Sequence, residues 1–295
     1  MKARESSNEW RPYTHTRHQL AEGARWFGGM LHFVDLLRGD LYRCHDAALS
    51  PERLLGLGMP LGAVAPAVQP EPAWVVAAGD GIALCGSDGR LDWLGRPERR
   101  ADRAMRLNDG ACDPSGRFWA GSMATNASAG AGSLYRADPD GSVHRMLEGL
   151  TVPNGPAFTA DGRLMYLADS ALGTITRHTV DPATGELLSS APFAELDVHL
   201  GRPDGMTVDD DGNLWVALWG GGQVLCYGAD GGLLNALPVP TANPSSVAFG
   251  GGHMFVTTAR HRLERPDPLA GAVLVRSTTV SAPPAAPFGR EPTPP

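Results

Sequence analysis

The feature that most constrains this chain is a repeat written in its turns. DGACDPSGRFWAGSM (109–123), NGPAFTADGRLMYLADS (154–170), DGMTVDDDGNLWVALWG (204–220) and SSVAFGGGHMFVTTA (245–259) share one plan. Each is a short strand, a turn rich in Asp and Gly, and a second strand of aromatic and β-branched residues. Glycine supplies the positive φ such turns need, and aspartate caps the turn backbone with its side chain. Three of the units run on into a further hairpin: GSLYRADPDGSVHRML, GTITRHTVDPATGELL and GQVLCYGADGGLLNAL. EGARWFGGMLHFVDLLRGDLYRC and PAWVVAAGDGIALCGSDGRLDWL fit the plan more loosely. The units begin near residues 22, 62, 108, 154, 204 and 245, at spacings of 40, 46, 46, 50 and 41. About four strands per unit at that period predict an all-β fold, a six-bladed β-propeller around a central channel.

Composition agrees: 37 glycines and 25 prolines in 295 residues suit many short strands better than long helices. Only Ala47–Leu55 has a helical periodicity. Residues 1–17 read as a loose leader, 18–280 as the propeller, and 281–295 as a proline-rich tail in which Phe288 alone invites packing. The net charge of −7 excludes the basic footprint of a nucleic-acid binder. Arg96–Arg103 is interrupted by acids and reads as a solvated loop. No apolar run reaches membrane-spanning length and MKARESSNEWRPY lacks the core of a signal peptide, so the expectation is a cytoplasmic protein with no membrane partner. The sequon at Asn126 is discounted accordingly. The four cysteines have no CxxC spacing and are expected as reduced, partly buried thiols.

In a propeller the innermost strand of each blade lines the channel. The residues at the start of those strands include Glu22, Asn108, Asn154 and Asp204, so two carboxylates and two carboxamides from four blades should converge. Unpaired buried oxygens are costly, and two adjacent carboxylates repel. A hard divalent cation would relieve both costs: oxygen donors suit Ca²⁺, Mg²⁺ or Mn²⁺, and Zn²⁺ also accepts carboxylates. The alternative is that these side chains simply bond backbone at the channel mouth.

Other motifs carry less. DDDGN (209–213) fails as a calcium loop, because its sixth position is Leu214 and its twelfth Gly220; it is a hairpin turn. Ser87 has Cys85 where a nucleophile elbow requires glycine. Gly220–Gly222 lacks the strand–helix context of a phosphate loop. His253 and His261 show no metal-ligand spacing, and His199, near Asp204 in sequence, defaults to a solvated loop residue. Asp169 is expected to buttress its blade.

RLNDGACDPSGRFWAGSM, NGPAFTADGRLMYLADS and GRPDGMTVDDDGNLWVALWGGGQV closely resemble the SMP-30/gluconolactonase/LRE family of sugar lactonases. LAEGARWFGGMLHFVD and PSSVAFGGGHMFVTTA resemble that family's first- and last-blade segments, so the likeness spans about residues 20–275 in the right order. It implies a six-bladed propeller holding one divalent metal, calcium first with zinc, manganese or magnesium as alternatives, on Glu22, Asn154 and Asp204. It further implies that Arg106 and Asn108 contact substrate. Ala24 replaces the family's usual proline, and Gly121-Ser122-Met123 its usual GTM. Asn126 stands where some members place a sugar-binding carboxylate, which leaves the substrate open.

These residues lead us to expect a hydrolase that opens a sugar lactone to its acid. The metal would polarise the carbonyl while Asp204 accepts the proton of the attacking water. The expected partner is a small lactone, with the chain a monomer or weak homo-oligomer. Rival readings keep the pocket but change its use: a non-sugar lactone or other ester, a non-catalytic calcium-binding propeller, or an inert interaction scaffold.

Overall fold

The computed structural model describes residues 9–45, 50–68 and 74–289, and every regular element in it is a strand. A short strand, β1 (Arg11–Pro12), precedes the first blade: β2 (Ala21–Phe27), β3 (Met30–Asp35), β4 (Asp40–Cys44) and β5 (Glu52–Gly56). The second blade is β6 (Leu61–Pro66), β7 (Trp74–Ala78), β8 (Gly81–Cys85) and β9 (Leu91–Gly95). The third is β10 (Met105–Cys112), β11 (Phe118–Ala124), β12 (Gly132–Ala137) and β13 (Val143–Leu150). The fourth is β14 (Pro153–Phe158), β15 (Leu164–Asp169), β16 (Thr174–Val180) and β17 (Leu187–Glu195). The fifth is β18 (Arg202–Val208), β19 (Leu214–Trp219), β20 (Gln223–Tyr227) and β21 (Leu233–Pro238). The sixth is β22 (Pro244–Gly250), β23 (His253–Thr258) and β24 (Val273–Ser277), completed by β1.

Each blade is an antiparallel meander of four strands. The innermost strands β2, β6, β10, β14, β18 and β22 contact one another in ring order, with β2 closing on β22. This is the six-bladed propeller that the period predicts. Because each blade is sandwiched between two others, its second strand is apolar on both faces. WVVAA and FWAGSMA are buried throughout, whereas the outer LLSSAPFAE is largely exposed. Trp119, Leu134, Met165 and Leu167 fill one such interface between the third and fourth blades.

The turns carry a second repeated device. Asp113 accepts from the backbone N–H of Arg117 at 3.0 Å and from Trp119 Nε1 at 3.0 Å. Asp209 does the same for Asn213 N–H at 2.8 Å and Trp215 Nε1 at 2.8 Å. DDDGN is therefore a hairpin turn tied to a buried indole. Asp169 accepts from Thr151 and Val152 N–H at 2.8 and 3.0 Å, bracing the strand that follows.

Three expectations differ at the edges. The helical periodicity over Ala47–Leu55 is overridden, since Glu52–Gly56 pairs with β4 as the outer strand of the first blade; 47–49 lie outside the described residues. Within the stretch read as a leader, Arg11 and Pro12 pair with Val275 and Leu274 and so close the ring between the chain's two ends. In the tail, Phe288 is buried and forms a bridge with Ala67, while Ala285 N–H bonds Trp26 O at 2.9 Å. Residues 282–287 thereby cross the channel mouth formed by the ends of the inner strands, over a cavity of about 290 Å³. All four cysteines are buried free thiols.

Candidate active site

The other channel mouth lies at the starts of the inner strands, where register slips in every blade. Between the pairs Glu22↔Val34 and Arg25↔His32, two residues oppose one. The same irregularity follows Leu107, Asn154 and Pro203. Such bulges bend the strand and re-aim its side chains, which here brings Glu22, Asn108, Asn154 and Asp204 to one place. Two glycines make this possible. Gly155 holds φ +83° just after Asn154, and a Cβ on Gly205 would lie 2.6 Å from Ser246 Cβ.

Glu22, Arg106, Asn108, Asn154 and Asp204 line one cavity of about 370 Å³ together with Met123, Ser170, Trp219 and others. Glu22, Asn108, Asn154 and Asp204 are 5–7 % exposed. A directional chain of hydrogen bonds fixes the carboxamides. Arg106 has only donors, and gives one to Asn108 Oδ1 at 2.6 Å. The Asn108 amide must therefore donate onward, to Pro153 O and to Asn154 Oδ1, each at 2.9 Å. Asn154 Nδ2 in turn donates to Ser170 Oγ at 2.7 Å, and Ser170 donates to the carbonyl of Pro203. This leaves Asn154 Oδ1 with a lone pair to offer.

The carboxylates are poorly compensated. Burial, then the nearness of Asp204 and Asp109, holds Glu22 well above the usual carboxylate range. Burial, then Asp109, does the same to Asp204. Glu22 Oε2 is buried with no hydrogen-bond partner among the described residues. An orphaned carboxylate oxygen, a second strained carboxylate and an oriented amide oxygen together fit a hard divalent cation. Among the described residues no cluster of three or more His, Cys, Asp or Glu could hold a metal, so a cation here would rely on the Asn154 amide oxygen beside two carboxylates. Asp109 is already committed, accepting from Gly110 and Gly155 N–H at 2.7 and 2.9 Å, with Arg25 3.7 Å away. Burial pulls Arg106 down to about 10, against the pull of Glu22.

Asn126 is not brought into the pocket. It is exposed, its Oδ1 accepting from Ser128 N–H at 3.2 Å and Ser128 Oγ at 2.7 Å, while Met123 and Ala127 line the wall instead. A turn with φ +54° at Ala127 aims Asn126 outward. His199 is exposed on its loop, whereas His261 does reach the pocket. The sequence pattern does not single out Asp109, Ser170, Arg202, Trp219 or Arg262, although each stands at or beside the site. Asp109, Ser170, Arg202 and Trp219 lie within the repeated motifs and were within reach of the pattern; Arg262 belongs to a loop with no repeat signature.

Fold and pocket define a β-propeller with a polar axial site at which two buried carboxylates meet. The family model for the SMP-30/Gluconolactonase/LRE-like region matches residues 20–260, and the chain belongs to that family. It is 36% identical over 276 residues to an L-arabinolactonase of Azospirillum brasilense, covering 89% of this chain and 90% of that one. It is 34% identical over 261 residues to the pentonolactonase XacC of Haloferax volcanii, covering 83% of each. Among solved structures, a calcium-binding regucalcin from Agrobacterium tumefaciens superposes with a TM-score of 0.88 at 27% identity, over 96% of this chain and 97% of that one.

Proposed function

We propose that this protein hydrolyses a sugar lactone to the open-chain sugar acid with the help of one divalent cation, calcium before zinc, manganese or magnesium. The observation that carries the proposal is the convergence of Glu22, Asn154 and Asp204 around an unpartnered carboxylate oxygen in a monosaccharide-sized cavity. The lactonases among its relatives, at 34% and 36% identity, support the reaction class. The calcium-binding structural relative supports the cation.

Glu22, Asn154 and Asp204 would hold the cation. Bound there, it supplies electrophilic polarisation of a carbonyl. The remaining work falls to the chain. Arg106 and Asn108, linked at 2.6 Å, orient the sugar oxygens beside the reacting carbonyl. Asp204 takes a proton as water adds to the carbonyl carbon. The ring C–O bond then breaks, and its oxygen leaves with a proton as the hydroxyl of the acid. Trp219, Met123 and Leu20 form apolar wall around these polar groups.

The Asp204→Asn variant tests the assignment. It keeps an oxygen donor but removes the base, so hydrolysis followed with a pH indicator should fall roughly 10²–10⁴-fold. Activity within twofold of the parent would remove Asp204 from the base role.

A further inference from the structure

The same pocket carries more positive charge than a neutral sugar requires. Arg106, Arg202 and Arg262 all line it, with His261 beside them, against only two carboxylates, Glu22 and Asp204. Resting on the proposed function, those two carboxylates are committed to the cation, and the arginines are left without counter-ions. None of the three forms an ion pair among the described residues. Arg106 spends its donors on Asn108 Oδ1 and Leu107 O, and Arg202 spends two on Ser170 O and Ala171 O at 3.0 and 2.9 Å. Arg262 has no such partner among the described residues and faces Arg106 closely enough for the two to repel. His261 is disfavoured in its charged form by burial and by both arginines.

Backbone strain points to the same rim. Among the described residues only Ala127 and Arg262 are non-glycine residues with positive φ, +54° and +63°. Both line this pocket. A conformation that L-residues avoid, kept at the lip by an exposed arginine with no ion-pair partner among the described residues, is strain placed at a binding site. Arg202 and Arg262 are exposed at the lip and Arg106 is half-buried; three guanidinium groups around one opening favour a ligand that brings its own negative charge, and arginine is suited to planar or tetrahedral oxyanions.

We propose that the preferred substrate is a lactone bearing a second, anionic group away from the ring carbonyl, a carboxylate or phosphate held by Arg262 and Arg202 at the rim. A neutral aldonolactone offers these arginines no anionic partner.

The test compares binding of D-gluconate, D-glucarate and 6-phospho-D-gluconate to the calcium-loaded protein by calorimetry at low ionic strength. All three share one carboxylate, and the last two add an anion at the far carbon. Each of the latter, or one of them, should bind at least about tenfold more tightly than gluconate, with the advantage shrinking in high salt. The double variant Arg202→Gln/Arg262→Gln should lose most of that advantage. Equal affinities overturn the proposal, as does an advantage that survives intact in the double variant. A kinetic arm separates the two readings. Failure to hydrolyse either gluconolactone or its 6-phosphate would count against the lactonase itself, whereas the binding comparison judges the charge independently. Hydrolysis of gluconolactone with no preference for the phosphorylated lactone would overturn the charge proposal alone.

Discussion

Ser170→Ala isolates the step by which the fold aims a proposed cation ligand. The Ser170 hydroxyl accepts from Asn154 Nδ2 at 2.7 Å and donates to Pro203 O, so it joins the fourth blade to the fifth at the pocket floor. Ser170 and Asn154 are each 5% exposed, so water is poorly placed to substitute. Alanine leaves one amide N–H and one carbonyl without a partner, each costing about 1–3 kcal/mol. A net loss of about 2–4 kcal/mol follows if one of the two groups partly re-pairs. The second consequence is functional. Asn108 Nδ2 alone then orients the Asn154 amide, and calcium affinity should fall about tenfold, the low end for groups that orient metal ligands. Urea unfolding of the calcium-free protein reads the first effect, and calcium titration by calorimetry reads the second. A variant with unchanged stability and a Kd within twofold of the parent would refute the directional chain from Arg106 to Pro203.

Other expectations follow from the same geometry. Glu22 holds its proton more tightly when folded than unfolded, so the native state binds more protons and its stability falls as pH rises above the unfolded value of about 4.3. In the calcium-free protein Glu22→Gln should therefore flatten the loss of stability between pH 4.5 and neutrality, while weakening calcium binding; an unchanged pH profile would contradict the raised pKa. Asp209→Ala should destabilise by about 3 kcal/mol or more in urea unfolding, because the carboxylate accepts from Asp211, Asn213 and the buried Trp215 indole. Calcium affinity should stay unchanged in that variant, and a large drop would restore DDDGN as a cation loop.

What could be read without coordinates was what depends on neighbours in sequence. The turn that ties Asp113 to Trp119 and Asp209 to Trp215 spans six residues, so its chemistry repeats visibly and fixes the blade period. The inner strands could be located from that period, and their first residues lead to Glu22, Asn108, Asn154 and Asp204. The bulges that bring those side chains to one point were not legible, because register is a property of two strands. Nor was β1, whose two residues have no periodicity and gain their strand geometry only from β24. The rim failed for a similar reason. Asn126 stands at the expected position in the chain, yet a single positive-φ residue after it turns it outward. Arg262 comes to the pocket from a sixth-blade loop whose path is set by hydrogen bonds from Arg260 and His261 N–H to Gln19 O and from Asn243 Nδ2 to His261 O, rather than by its own sequence.

The central claim is that Glu22, Asn154 and Asp204 hold a divalent cation needed for lactone hydrolysis. The most direct measurement is acid release from gluconolactone, galactonolactone and arabinonolactone by chelator-stripped protein, before and after Ca²⁺, Zn²⁺, Mn²⁺ or Mg²⁺ is restored separately. No release above the spontaneous rate is expected until a cation is added, with recovery absent in Asp204→Ala. Full hydrolysis by the stripped protein, or recovery undiminished in that variant, would contradict it.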